Sequence, residues 1–561
     1  MNCGPLRRFR RCSRCKIGLC TTKVTPVRAR KGDATGDRLD TRQSQQCFRK
    51  CTGAWNLGVS FSRLMNALPI VLFWLLICCA IISRPPFALY LFFATMPFGA
   101  CAAIPTNLTG GLTFVATPIV ALIIIGKTFL TRGGPSSFLT LALLPDRLLC
   151  LFAFWIVASV ATLFMPHLFA GDILVVPVRG VLSTPVPLHP TTQNLSQWVY
   201  MTISVFTVFA MARLLQNPAM RQHALQSICL GAAMLIATGL LDFASQYLPL
   251  AAVLTPFRTA SYALATEVEV LGSKRVVGLM PEASAFGNYC LGFLCALHFY
   301  RRAILSQTLR DRICPILLVL LVVLCWQSKS SAAYVGLAVF AAMAALEWLL
   351  RAHAQGRGAH VYRQGLMGEL SVLVTILVAI TLALLFKPGL LDPILALIDR
   401  MVLQKTSSLS YEERGMWRVI ALSSLFDSHG FGIGLGSTRS SSSIVAVLSA
   451  TGILGGILFY AFAAQSFFRS PRYGTVESEI IMSAFRFSYV PMIVVSLMIA
   501  DANFEPLTGF GFGITAALAI AQAQRRGMGH VPEGSPAQPP ASLSAASMDQ
   551  AALLPSGAAT S

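Results

Sequence analysis

Three stretches of the chain hold residue types and spacings that could do chemistry. The first runs from Lys274 through Arg275, Gly278, Pro281, Glu282 and Ser284 to Gly287. It offers a basic pair, then a carboxylate at what reads as a helix start. A glutamate there is also favoured simply by the helix dipole. The second is Ser410-Tyr411-Glu412-Glu413-Arg414-Gly415-Met416-Trp417-Arg418. Arg414 and Arg418 are four residues apart and share a face if the segment is helical. The bland alternative is a helix lying at lipid headgroups with Trp417 as its anchor. The third is Phe431 to Arg439, with Gly432, Gly434 and Gly436 alternating before Ser437, followed by Ser440 to Ser443. Alternating glycines allow backbone angles closed to other residues and can aim N–H groups at an anion. A flexible turn before a helix is the plain reading of the same pattern.

Other chemistries lack the residues they need. The eight histidines are scattered, and His429 is the only one between positions 387 and 444. No Ser/His/Asp arrangement follows from the spacing, and no metal site is expected. Of the fifteen cysteines, Cys78, Cys79, Cys229 and Cys325 fall in apolar runs, where they act as small apolar residues. Cys12-x-x-Cys15 and Cys47-x-x-x-Cys51 resemble zinc ligands only loosely, because the second spacing is poor and no apolar pattern surrounds them.

The elements that must position these stretches are membrane helices. The chain has 561 residues, 55% hydrophobic and only 12% charged, against about 25% charged in soluble domains. Several apolar runs approach the roughly 20 residues that cross a bilayer as a helix. The expected fold is an all-α polytopic membrane protein of about 12–13 transmembrane helices. Spans are predicted near 67–83, 87–104, 111–126, 147–164, 197–214, 224–241, 285–300, 313–327, 331–350, 369–386, 445–462, 484–502 and 508–523. The net charge of +21 then reflects cytoplasmic loops rich in Lys and Arg. Nucleic acid is not expected as a partner, since no basic region is interleaved with base-stacking aromatics.

Arginines fill the short loops at 213–221, 301–312, 351–363 and 469–472, which are read as cytoplasmic. The connections at about 165–196, 242–284 and 387–444 are then periplasmic, and the last is a long loop. Thirteen spans with the C-terminus inside would put the basic N-terminus outside, so one span among residues 67–146 is expected to be surplus. Three regions follow: residues 1–65, a basic, cysteine-containing cytoplasmic tail; 66–524, the membrane domain; and 525–561, a second disordered cytoplasmic tail rich in Ala, Pro, Ser and Gly.

Taken in order, the motifs resemble the superfamily of O-antigen ligases and O-antigen or exopolysaccharide polymerases. "RVVGLMPEASAFG" (275–287) precedes a central span and "SKSSAAYVGL" (328–337) opens a later one. The long loop carries "EERGMW" (412–417) and ends in "GFGIGLGS" (430–437). A span with "TGILGG" (451–456) closes the block. The resemblance covers roughly residues 270–465. It implies an inverting, metal-independent glycosyltransferase of the bacterial inner membrane, without cofactor, working at the periplasmic face. Its donor would be an oligosaccharide on undecaprenyl pyrophosphate, within the membrane lipid, alongside a flippase and a chain-length regulator.

Departure of a pyrophosphate concentrates negative charge, and arginine suits it by binding phosphate bidentately. Arg275 and Arg414 are the expected catalytic cations. Glu282 is the first candidate base and Glu413 the second. Arg418, Arg439, Trp417, Gly434, Gly436 and Ser437 are the expected substrate-binding residues. Ligases resemble one another in a histidine shortly after the Gly-rich turn, where this chain has Ser440–Ser443. That departure favours a polymerase over a ligase. A glycan transporter is the alternative from another class, but its ionisable residues would sit near mid-membrane, and the predicted spans here hold few. Residues 1–64 lack a periodic apolar pattern, so a chain starting at Met65 is expected to insert and to complement a deletion strain. Loss of activity at normal membrane levels would assign the tail a function.

Overall fold

The structure, a computed structural model, describes residues 67–527 except 106–107, 110–112, 179–183, 262–263, 271, 355–362, 364, 388, 390, 402, 405–408, 470–474 and 500–503. The two expected tails and the six cysteines of the first lie outside the described residues, apart from 525–527. In chain order the helices are α1 (Ala67–Ile82), α2 (Pro85–Thr95), α3 (Ala116–Phe129), α4 (Gly134–Leu143), α5 (Leu149–Leu168), α6 (Thr192–Leu214), α7 (Pro218–Ala244), the single turn α8 (Ala251–Leu254), α9 (Ala283–Tyr300), α10 (Cys314–Gln327), α11 (Ser331–Ala352), α12 (Leu366–Phe386), α13 (Asp392–Met401), α14 (Leu409–Asp427), α15 (Ser443–Phe468), α16 (Val476–Ile499) and α17 (Pro506–Gly527). Two minimal antiparallel hairpins complete it: β1 (Leu174–Val175) with β2 (Val186–Pro187), and β3 (Glu269–Val270) with β4 (Ser273–Lys274).

Each of the thirteen predicted spans overlaps one of these helices, although the one at 87–104 runs nine residues past the end of α2. Six of them, α5, α6, α7, α11, α15 and α16, are long and apolar enough to cross a membrane, and the α3–α4 pair makes a seventh if its 104° bend lies within one span. This is an all-α fold that fits a multi-pass membrane protein. Some of the others are short, because proline or glycine interrupts their runs: Pro85 opens α2, and Gly133, with φ +69°, separates α3 from α4. Residues 67–146, where one span was expected to be surplus, hold α1 to α4. The stretch 387–444 is no open loop, since it contains α13 and α14.

Helices α9 and α11 define two ends. Glu282 caps the start of α9 and Arg301 follows its end, about 27 Å away at 1.5 Å per residue. At the far end Arg301, Arg302, Glu347, Arg351 and Glu369 form one network. Arg302 pairs with Glu347, while Arg301 and Arg351 both pair with Glu369. Arg351 lies within α11 rather than in a loop, and it and Glu347 are buried. A buried charge needs such partners because hydration is lost. Arg221, at the start of α7, binds Glu477, at the start of α16, through two nitrogens at 2.9 and 3.2 Å. Four of the arginines expected in loops, Arg221, Arg301, Arg302 and Arg351, are therefore engaged in ion pairs between elements, while Arg213, Arg363 and Arg469 donate to backbone carbonyls. With these helices crossing a membrane, a cysteine at exposed Gln307 and one at exposed Gln404 are expected to react with an impermeant thiol reagent from opposite sides. Labelling of both in intact spheroplasts would undo the two-ended arrangement.

Candidate functional site

The loop before α9 owes its shape to a carboxylate. Asp242, the only acid in α7, is fully buried. Its Oδ1 accepts from Arg258 Nη2 at 2.8 Å, and its Oδ2 accepts the backbone N–H groups of Val277 at 2.7 Å and Gly278 at 3.0 Å. Arg258 also donates to the Gly278 carbonyl at 3.0 Å. Gly278 has φ +60°, and a Cβ there would stand 2.9 Å from the Phe286 ring. The "SKSS" segment holds the loop from the other side. Arg275 Nε donates to the Ser328 carbonyl at 3.0 Å. Lys329, in the left-handed region at φ +46°, donates its Nζ to the carbonyls of Val270 at 3.0 Å and Ser273 at 3.1 Å. Burial, and next the Arg275 charge, pull the Lys329 amine below its ordinary value.

The Gly-rich turn and the "TGILGG" segment interlock. Gly430, Gly432, Gly434 and Gly436 all have φ between +77° and +83°. Helix α15 is kinked at Gly452, whose φ is +73°. The kink frees two carbonyls, and the turn takes them: Ile433 N–H donates to Ser449 O at 2.8 Å and Gly434 N–H to Ala450 O at 2.9 Å. In exchange Ile453 N–H donates to Gly430 O at 2.9 Å. Leu435 N–H goes to Thr162 Oγ1 at 3.1 Å and Gly432 N–H to Ser428 Oγ at 3.1 Å. The expectation that this turn aims N–H groups at an anion therefore fails for residues 432–435, whose amides are bound within the protein. The left-handed angles serve close backbone packing instead: a Cβ on Gly452 would come within 2.5 Å of the Gly430 carbonyl.

These supports surround a two-lobed cavity. The larger lobe, about 830 Å3, is lined by Glu282, Arg414, Trp417, Gly434, Gly436 and Arg439, among others. The smaller, about 330 Å3, is lined by Arg275, Glu282, Arg414, Arg418, Ser330 and Ser331, among others. Glu282, Ser284 and Arg414 line both. Arg414 and Arg418 do share a face of α14. The Arg439 guanidinium sits 5.2 Å from the centre of the Trp417 ring and donates to Val178 O at 3.0 Å, a cation–π contact that sets both side chains. Ser441 Oγ donates to the Arg414 carbonyl at 3.0 Å, tying the chain after the turn to α14.

The structure thus brings eight of the nine predicted site residues to one cavity. The ninth, Ser437, is buried. Its hydroxyl donates to Ile433 O and accepts from Asn194 Nδ2 at 2.8 Å, and it is not among the lining residues. Glu413 is exposed and does not line the cavity either. Glu282 is exposed at the start of α9. Its carboxylate makes no cap, and the Ser284 hydroxyl donates to it.

Among the described residues no carboxylate lies within 4.0 Å of the Arg275, Arg414 or Arg418 guanidinium. Burial lowers the Arg275 pKa from its ordinary value, and the nearby Arg414 charge lowers it further, while Glu282 opposes both. Two cations from distant segments thus face one polar space. Sequence reasoning missed Asp242, Arg258 and Lys329, which position the loop, and Asn288 and Glu505, which line the larger lobe. One signal was available for the first: Asp242 is a single acid in an otherwise apolar helix, a costly placement without a partner.

No protein-family model matches the chain, and no curated protein matches it in sequence.

Asp242→Asn leaves Arg258 without its buried counter-charge and is expected to cost about 3–5 kcal/mol. Gly452→Ala adds a methyl where the Gly430 carbonyl stands. Both should lower the melting temperature of the purified protein in detergent, while Arg418→Ala, at an exposed position, should leave it nearly unchanged. Unshifted melting of both variants would overturn the supporting roles given to Asp242 and Gly452.

Proposed function

We propose that this protein is a polymerase of undecaprenyl-pyrophosphate-linked glycan repeat units at the periplasmic face of the bacterial inner membrane. The observation that carries the reading is the pairing of Arg275 and Arg414. They lie on segments more than a hundred residues apart, yet line one cavity with Glu282 between its lobes, and among the described residues no carboxylate lies within 4.0 Å of either guanidinium. Cations left without a counter-ion at a polar cavity suit a dianionic or pyrophosphate group. The order of motifs, which resembles that of O-antigen polymerases and ligases, supplies the glycan.

On this reading a sugar hydroxyl of the acceptor repeat unit attacks the anomeric carbon of the donor. The new C–O bond forms as the bond to the lipid pyrophosphate breaks, with inversion. Arg275 and Arg414 stabilise the charge that grows on the leaving pyrophosphate. Glu282 takes the proton from the attacking hydroxyl. The arginine-rich end, with Arg301, Arg302 and Arg351, faces the cytoplasm by the positive-inside rule. The cavity, at the opposite end of α9 and α11, then faces the periplasm. About 12–13 spans are the count this reading uses, the surplus one falling among residues 67–146. Transfer to lipid A–core, the ligase alternative, would want a histidine after the turn. Here His429 precedes it and does not line the cavity.

Arg→Lys keeps the charge but loses the bidentate fork, and losing one such donor typically costs about 10²–10³ in rate. Arg275→Lys and Arg414→Lys are therefore expected to leave short or single-unit glycan in a complemented deletion strain, with normal protein in the membrane. Glu282→Gln should show the same defect. Wild-type polymer from both lysine variants would sink the pyrophosphate clamp, because a headgroup anchor tolerates lysine.

A further inference from the structure

The larger lobe holds a second polar group that the proposed chemistry does not use. Asn288 lies on the second turn of α9, and Glu505 stands just before α17, where its carbonyl accepts from Gly509 N–H at 2.9 Å. Asn288 Nδ2 donates to Glu505 Oε1 at 2.5 Å. The bond joins residues 217 positions apart and sets the amide: its NH2 must face the carboxylate, which turns Oδ1 the other way. Asn288 Oδ1 has no hydrogen-bond partner among the described residues. Both side chains line the lobe, and around them stand Gln197, Tyr460, Tyr489 and Phe504.

The composition of this patch selects its ligand. The Glu505 carboxylate, held by the Asn288 amide, offers acceptors on the lobe wall, which suit hydroxyl donors and repel an anion. Aromatic residues on the walls of the same lobe suit the apolar C–H face of a ring. A group with hydroxyls around its edge and C–H bonds on its face is a sugar. Arg275 and Arg418 line the smaller lobe and Arg439 the larger, with Arg414 on the wall of both, so an anionic group and the sugar attached to it would lie in one continuous site, with the Asn288–Glu505 pair as its acceptor-bearing part. We propose that Asn288 and Glu505 are the specificity-determining pair of this site, binding hydroxyls of one sugar ring of the glycan in the larger lobe. The inference rests on the polymerase reading and names where the sugar is read. A site built to hydrogen-bond a hydroxyl discriminates strongly, since its own buried groups are left unpaired by the wrong ligand.

The test uses the full chain reconstituted in lipid, with the lipid-linked glycan extracted from a strain lacking this protein as substrate. Glu505→Gln keeps the shape and removes the charge, and Asn288→Ala removes the amide. Each is expected to raise the KM for that glycan about ten- to a hundredfold, the loss of a hydrogen bond to a charged or fixed group. The kcat should stay within about threefold. Melting temperatures, and the amount of each variant recovered in the membrane, control for folding. Unchanged KM in both variants, or a fall in kcat alone that tracks lost folded protein, would make the pair a structural tie between α9 and α17 and overturn the proposal. Failure of the polymerase reading looks different: the deletion strain would then accumulate no lipid-linked glycan, and Arg414→Lys would be silent.

Discussion

A carboxylate cut off from water must find its hydrogen bonds and its counter-charge inside the protein. Asp242 meets that demand by gathering Arg258 and two successive amides of the loop before α9. The loop cannot shift without stranding the charge. Because Arg275 lies two residues before the first of those amides and Glu282 four after the second, the position of both follows from it. The Ser328 carbonyl and the Lys329 amine close the other side. The "SKSS" segment thus supports the loop as well as lining the smaller lobe through Ser330 and Ser331.

The second constraint is the exchange between the Gly-rich turn and the kink in α15. A helix that bends at Gly452 releases carbonyls that must be satisfied elsewhere. The turn supplies N–H groups at the required places only because its alternate residues take left-handed angles open to glycine. This exchange fixes where the chain continues to Arg439 and, through Ser441, to α14. Arg414, Trp417 and Arg439 depend on it for their common position. The cavity is therefore assembled from two anchored loops and one amphipathic helix.

The far end of the bundle differs in kind. Its arginines are matched by Glu347, Glu369 and Glu477 across helices, which binds α7 to α16 and α11 to α12. Cations matched across helices there, and at the cavity Arg275, Arg414 and Arg418 with no carboxylate within 4.0 Å among the described residues, give the molecule two electrostatically distinct ends. A network whose charges cancel holds helices together, whereas uncancelled charge attracts a ligand.

Apolar runs by themselves determined the helices, because a segment of that length and hydropathy has few other ways to satisfy its backbone. All thirteen predicted spans overlap helices for that reason. The sequence also singled out Arg275, Glu282, Arg414, Trp417 and Arg439, since charged and aromatic residues stand out against so apolar a chain. Their convergence was not legible, because it depends on pairings such as Asp242 with Val277 and Ile433 with Ser449 that join distant positions. The same holds for what the sequence misread. Ser437 looked like a ligand-binding position, but its hydroxyl binds the turn itself, and Gly434 lines the larger lobe with its amide already bound to α15. Asn288 and Glu505 looked like nothing, because an asparagine and a glutamate 217 positions apart acquire meaning only when α9 and α17 bring them to 2.5 Å. Periodicity and composition are local quantities and decide local structure. Which amide meets which carbonyl across the bundle is decided by packing, and here packing made the site.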